Sequence, residues 1–179
     1  MSESVKQGDW CGMVKIRLAS QITTDSVVDG KGLRTVIWCQ GCTHHCQGCH
    51  NLDTQDLNGG FEQEIDDVVQ AVLAVELQSG VTFSGGEPML QPVACTAIAQ
   101  QLKRRDINIW CYTGFTFEEL LNRPDCLEFL QYIDVLIDGK FELALKSYDL
   151  LFKGSANQRI IDVPESLKEK KVVLYEPLP

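Results

Sequence analysis

Residues Gly80 to Gly114 read "GVTFSGGEPMLQPVACTAIAQQLKRRDINIWCYTG", and the order of patterns within that stretch decides the fold class. "GVTFSGG" is a short apolar run that breaks on glycines, as a buried strand does on leaving a sheet. "PVACTAIAQQLKRR" sets Ala94, Ile98 and Leu102 on one helical face. "INIWCYTG" returns to β-branched and aromatic residues. Strand, helix and strand in succession predict a parallel sheet with helices packed outside it.

The same alternation extends in both directions. "MVKIRLASQI" (Met13 to Ile22) and "RTVIWC" (Arg34 to Cys39) read as strands. "EQEIDDVVQAVLAVELQ" carries Ile65, Val68, Val69, Val72, Leu73 and Val75 at helical spacing, with Asp66 and Asp67 where a helix dipole favours acid. "TFEELLNRPDCLEFLQ" predicts one or two short helices and "YIDVLIDGKF" a further strand. In such sheets chemistry gathers at the C-terminal strand ends. "CQGC", "SGGE", "YTG" and "DGK" each follow a strand, so they are expected to share one mouth. At 179 residues the chain is too short for an eight-fold barrel of about 250 residues. The expectation is one α/β domain over 1–179, a partial (β/α) barrel with an open parallel sheet and short terminal extensions.

Composition narrows the partners. Asp and Glu number 25 against 16 Lys and Arg, a net charge of -9, which disfavours nucleic acid and anionic membrane as general partners. No apolar run approaches the roughly 20 residues that span a bilayer. The N-terminus "MSESVKQGDWCG" has no basic segment followed by an apolar one, so a cytoplasmic protein with reduced thiols is expected. Among its eight cysteines, Cys95, Cys111 and Cys126 stand singly amid apolar residues and read as small buried hydrophobes. Cys11 carries no interpretable signal.

The other four fall in "CQGCTHHCQGCHN", Cys39 to Asn51. Structural zinc usually takes two cysteine pairs separated by a dozen or more residues. Here "THH" alone separates Cys39/Cys42 from Cys46/Cys49, too little chain to fold four thiolates around one small ion. A thioredoxin-like pair would not carry two further cysteines beside it. The remaining reading takes Cys42, Cys46 and Cys49 as a unit. A cubane normally has one cysteine per iron, so three leave one iron open to a substrate. Cys39 is either a structural thiol at the strand end or a fourth ligand.

"CTHHCQGC" with "SGGEP" (Ser84 to Pro88) resembles the two signature motifs of the radical S-adenosylmethionine superfamily. The resemblance implies a 4Fe-4S cluster on Cys42, Cys46 and Cys49, with S-adenosylmethionine chelating the open iron. It also implies that Gly85 and Gly86 meet the cofactor's methionine end through backbone atoms, and that Glu87 accepts from its ammonium. Gly48 and Cys49 would lie beside the cofactor, and His50 occupies the place where the family usually carries an aromatic against the adenine. The alternative for His50 is a solvent-facing loop residue. His44 and His45 read as loop filler.

Within the superfamily, "DSVVDGKGLRTVIWCQGC", "GCHN", "VLIDGKF" and "FKGSANQRIID" resemble the activating enzymes of anaerobic (class III) ribonucleoside-triphosphate reductases, over about Thr24 to Asp162. That likeness implies reductive cleavage of the cofactor and hydrogen abstraction from a glycine of the reductase's catalytic subunit. The electron would come from a low-potential donor such as flavodoxin or ferredoxin. By likeness to related activases, Asp138 would bind the cofactor's amino group, and Lys140 its carboxylate or the partner's loop. A plain "DG" turn with a solvated lysine is the alternative. Asn157, Gln158 and Arg159 either face the partner or cap a turn. Competing functions are activation of another glycyl-radical enzyme such as pyruvate formate-lyase, a small-molecule radical enzyme, or a zinc-binding interaction module.

Overall fold

The computed structural model describes residues 15–176, so Cys11, Met13 and Val14 lie outside the described residues. The described strands are β1 (Lys15–Leu18), β2 (Thr23–Ser26), β3 (Arg34–Cys39), β4 (Phe61–Glu64), β5 (Gly80–Gly85), β6 (Ile109–Tyr112), β7 (Val135–Asp138) and β8 (Arg159–Asp162). The α-helices are α1 (Ile65–Leu73), α2 (Pro92–Lys103), α3 (Phe117–Leu121), α4 (Pro124–Leu130) and α5 (Val163–Glu169).

All strands join one sheet in the order β4-β1-β3-β5-β6-β7-β8, with β2 also paired to β3. The centre, β3-β5-β6-β7, is parallel. β1, β2 and β4 on one flank and β8 on the other pair antiparallel. The sheet is therefore open but mixed, which corrects the expectation of a parallel sheet throughout. The reason lies in the connections. A parallel return needs a crossover of a dozen or more residues, usually helical. The loop 27–33 between β2 and β3 is too short, and the long segment 139–158 before β8 contains no α-helix to pack over the sheet.

A second correction concerns the expected helix from Glu62 to Gln78. Its first residues are β4, in register with β1 from Lys15↔Glu64 to Leu18↔Phe61. Opposite charges meet across that pairing, Lys15 to Glu64 at 3.4 Å and Arg17 to Glu62 at 2.8 Å. Such exposed pairs contribute at most about 1 kcal/mol each. The helix that follows buries Ile65, Val68, Val69 and Val72 and keeps Asp66 and Asp67 in its first turn. It stops at Leu73, and Leu77 beyond it is left-handed at φ 58 and almost fully exposed.

Strand alternation sorts side chains onto two faces. On β6, Ile109 and Cys111 enter the main core, with Phe83 of β5, Ile98 and Leu102 of α2, and Phe129 of α4. Burying each of these large side chains stabilises the fold by about 1.5–3 kcal/mol. Trp110, Val135 and Ile137 form a smaller cluster on the opposite face. The Trp110 indole takes Phe152 and Tyr175 edge-on at 5.4 and 5.5 Å. Phe152 thereby ties the segment 139–158, which has one 3-10 turn at Leu143–Leu145 and no α-helix, across that face, beside the ends of the parallel strands. Cys95, Cys111 and Cys126 are buried free thiols, as expected of small hydrophobes. Among the described residues, no helix is long and apolar enough to cross a membrane.

Candidate active site

Because β3, β5, β6 and β7 are parallel, the loops after them emerge at one edge. There they enclose a cavity of about 620 Å³. Cys42, Cys46 and Cys49 line it, with Gly85, Gly86, Tyr112, Thr113, Gly114 and Gly139 from the next three loops. The mouth expected from "CQGC", "SGGE", "YTG" and "DGK" is thus assembled by the sheet.

The cysteine loop is fixed by its backbone. Gly41 N–H donates to Thr54 O at 2.8 Å and Cys42 N–H to Gln55 O at 3.1 Å. Gly86 N–H donates to Cys39 O and Glu87 N–H to Gly41 O, both at 2.8 Å. Asn51 donates its side-chain amide to Gly85 O at 3.2 Å. The three thiols that line the cavity are half-buried and unpaired. Two receive backbone donors, Cys42 Sγ from His44 N–H at 3.5 Å and Cys49 Sγ from Asn51 N–H at 3.4 Å. Burial pushes the Cys42 thiol up, and the His44 hydrogen bond pulls the other way. Among the described residues no three His, Cys, Asp or Glu side chains are grouped to hold a single metal ion. A cubane makes a different demand, since each thiolate binds its own iron. Three thiols on the wall of a cavity this size fit it. Cys39 is fully buried, with its sulfur 4.0 Å from that of Cys95.

Gly85 and Gly86 border the cavity, and each also packs closely on neighbouring backbone. Gly85 is left-handed at φ 100, and a Cβ there would stand 2.5 Å from Cys39 O. A Cβ on Gly86 would meet Gly41 O at 2.4 Å and Thr54 O at 2.8 Å. Both positions exclude a side chain because two backbones cross there. Gly48, at φ 73, packs its open side against Leu143 and is not among the cavity residues.

His50 does line the cavity, its ring 4.8 Å from that of Phe141. Glu87 also touches the cavity but is fully buried. Its carboxylate accepts from Met89 N–H, Thr113 Oγ1, Gly114 N–H and His44 Nε2 at 2.7–3.0 Å. Those donors fill about the four positions a carboxylate offers, so the expected ammonium would have to displace one of them. His44, read from the sequence as filler, is 7% exposed in its side chain.

Asp138 and Lys140 are the clearest departures. Asp138 is 1% exposed and absent from the cavity wall. Its carboxylate accepts from Phe117 N–H at 2.8 Å and from Arg159 Nε at 3.0 Å, with a second, shorter bond from the same guanidinium. The hydrogen bonds to Asp138, then those to Glu118, hold the Arg159 guanidinium above its ordinary value. An acceptor so enclosed has no face for a cofactor amino group. Lys140 is exposed and outside the cavity, its carbonyl accepting from Asn157. Lys146 and Lys153 line the cavity instead. Arg159→Met would leave a buried carboxylate without its counter-ion. It is expected to lower unfolding free energy by about 3 kcal/mol, whereas Glu118→Gln at the exposed end should cost under about 1 kcal/mol. Urea denaturation of both variants checks the contrast.

A family model described as a 4Fe-4S single cluster domain matches residues 28–161. The anaerobic ribonucleoside-triphosphate reductase-activating protein of Vibrio cholerae is 39% identical over 143 residues, covering 75% of this chain and 90% of the relative. The chain belongs to this activating-protein family. The Haemophilus influenzae member is 36% identical over 144 residues, at the same coverage. The member from Enterobacteria phage T4 is 34% identical over 139 residues, covering 74% of this chain and 86% of the relative. The crystal structure of QueE from Escherichia coli overlays 57% of this chain and 53% of that one, at 14% identity and a TM-score of 0.48, too slight a likeness to argue from. The span 28–161 contains the cysteine loop, the "SGGE" loop and the whole segment 139–158 that walls the cavity.

Proposed function

We propose that this chain activates an anaerobic ribonucleoside-triphosphate reductase by generating a glycyl radical on its partner. The observation that carries this reading is the set of three half-buried thiols, Cys42, Cys46 and Cys49, on the wall of one cavity at the parallel strand ends. These would hold a 4Fe-4S cluster, leaving one iron for S-adenosylmethionine in the remaining space. When bound, the pair supplies one-electron cleavage of the sulfonium to methionine and a 5′-deoxyadenosyl radical, which takes a hydrogen atom from a glycine α-carbon and leaves 5′-deoxyadenosine. The electron enters from a low-potential donor, flavodoxin or ferredoxin.

The chain's own residues do the rest. Backbone N–H groups of His44 and Asn51 hold two of the thiol sulfurs in place. Gly85 and Gly86 let the loop after β5 pack directly on the backbone of the cysteine loop while bordering the cavity, and His50 with Phe141 offers a ring pair to a flat base. Lys146 and Lys153 on the wall supply positive charge for a carboxylate, the role once expected of Lys140. Around the opening stand Val27, Val28, Tyr148 and Leu151, each more than 60% exposed. An apolar rim of this kind suits a protein loop, which would also exclude water from the radical. The sheet with its open edge and lateral segment is read as a partial (β/α) barrel closed by the partner.

Anaerobic reconstitution with iron and sulfide tests the proposal. The expected product is brown, binds about four irons per chain as a cubane requires, and forms 5′-deoxyadenosine with S-adenosylmethionine and dithionite. A colourless protein that prefers one zinc would point to the interaction module instead.

A further inference from the structure

Glu87 and His44 join three loops that the sequence leaves unconnected. The Glu87 carboxylate is fully buried and would be costly there without compensating donors. Oε1 accepts from Met89 N–H at 3.0 Å and Thr113 Oγ1 at 2.8 Å, and Oε2 from Gly114 N–H at 2.7 Å and His44 Nε2 at 2.8 Å. One donor thus belongs to the turn after β5, two to the loop after β6, and one to the cysteine loop. His44 is the sole member of the set that lies between two of the thiols, Cys42 and Cys46.

The imidazole has a built berth. Phe115 meets it edge-on at 4.5 Å between centroids. Gly114 makes room for it, since a Cβ there would fall 2.4 Å from His44 Cδ2 and 2.6 Å from Nε2. The neighbouring His45 is exposed and left-handed at φ 50, so the chain turns sharply just after His44 enters the interior. The backbone N–H of His44 meanwhile donates to Cys42 Sγ at 3.5 Å. One residue therefore holds the thiol from the backbone and the neighbouring loops from the side chain.

We propose that His44 and Glu87 are paired positioning residues: their buried hydrogen bond clamps the Cys42–Cys46 segment to the loops after β5 and β6 and sets where the thiols face the cavity. This rests on the reading of Cys42, Cys46 and Cys49 as cluster ligands. Both residues border the cavity, but their role is to hold the cysteine loop, not to react. Partners one step removed from a metal site orient its ligands, and their loss typically costs about 10- to 100-fold in affinity or activity. The N–H to Cys42 sulfur bond would also be altered, and hydrogen bonds to cluster sulfurs tune reduction potential.

The test compares His44→Gln with His44→Met. Both side chains are of similar length and fill the berth, but only glutamine can donate to Glu87. Iron content, the midpoint potential of the cluster, and the change in the reduced-cluster paramagnetic resonance spectrum on titrating S-adenosylmethionine are measured for each. His44→Met is expected to need about 10-fold or more S-adenosylmethionine for the spectral change, with a displaced potential or reduced iron. His44→Gln should stay within about threefold of wild type. Equal behaviour of the two variants, whether both normal or both impaired, overturns the clamp. Wild-type protein that forms no cubane, or whose cubane ignores S-adenosylmethionine, overturns the proposed function itself and is read before either variant.

Discussion

Replacing any one of Cys42, Cys46 or Cys49 with alanine is expected to abolish the cubane spectrum and reduce 5′-deoxyadenosine formation below detection. Cys39→Ala should retain both. The cubane needs a thiolate on each of three irons, and these are the cysteines facing the cavity. Cys39 is instead a core residue, its thiol fully buried beside Cys95. Its replacement should cost about 1 kcal/mol of stability, in the ordinary range for a point substitution. Iron analysis and visible absorption of the four reconstituted variants read the result. Loss of the cluster from Cys39→Ala as complete as from Cys46→Ala would make Cys39 a ligand.

Gly86→Val is expected to lose iron as well as S-adenosylmethionine binding. From the sequence alone, a side chain here would intrude on the methionine end of the cofactor and spare the cluster. The structure moves the collision. The Cβ would stand 2.4 Å from Gly41 O and 2.8 Å from Thr54 O, so valine pushes against the backbone that leads into Cys42. Overpacking of this kind typically costs about 1–3 kcal/mol, and neither neighbour is a side chain that can rotate away. The thermal midpoint and iron per chain should both fall. Full iron content with cofactor affinity alone reduced would restore the direct-contact reading.

What the sequence made legible was whatever is encoded locally. Helical spacing of Ala94, Ile98 and Leu102 located α2, glycines closed β5, and the spacing of Cys42, Cys46 and Cys49 marked the chemistry. Long-range pairing was not legible. Glu62 and Glu64 fit a helical pattern as well as a strand, and only β1, more than forty residues away, draws them into the sheet. Asp138 followed by glycine looks the same whether the carboxylate faces a cofactor or is enclosed by Arg159. The decision is made by β8 pairing Arg159 opposite Asp138. His44 gave no signal beside an exposed His45, because its berth is made by Phe115, Gly114 and Glu87 from other loops. The cavity wall from Lys146 to Gly154 has no helical or strand periodicity, so nothing in its order announces its position.

The most direct measurement of the central claim is paramagnetic resonance on the complete reaction. Reconstituted, reduced protein, S-adenosylmethionine and an anaerobic ribonucleoside-triphosphate reductase are mixed without oxygen and frozen. The account predicts a glycine-centred doublet on the reductase that disappears when the partner's glycine is replaced by alanine, with far less signal from pyruvate formate-lyase under the same conditions. A silent reductase beside an activated pyruvate formate-lyase would contradict it.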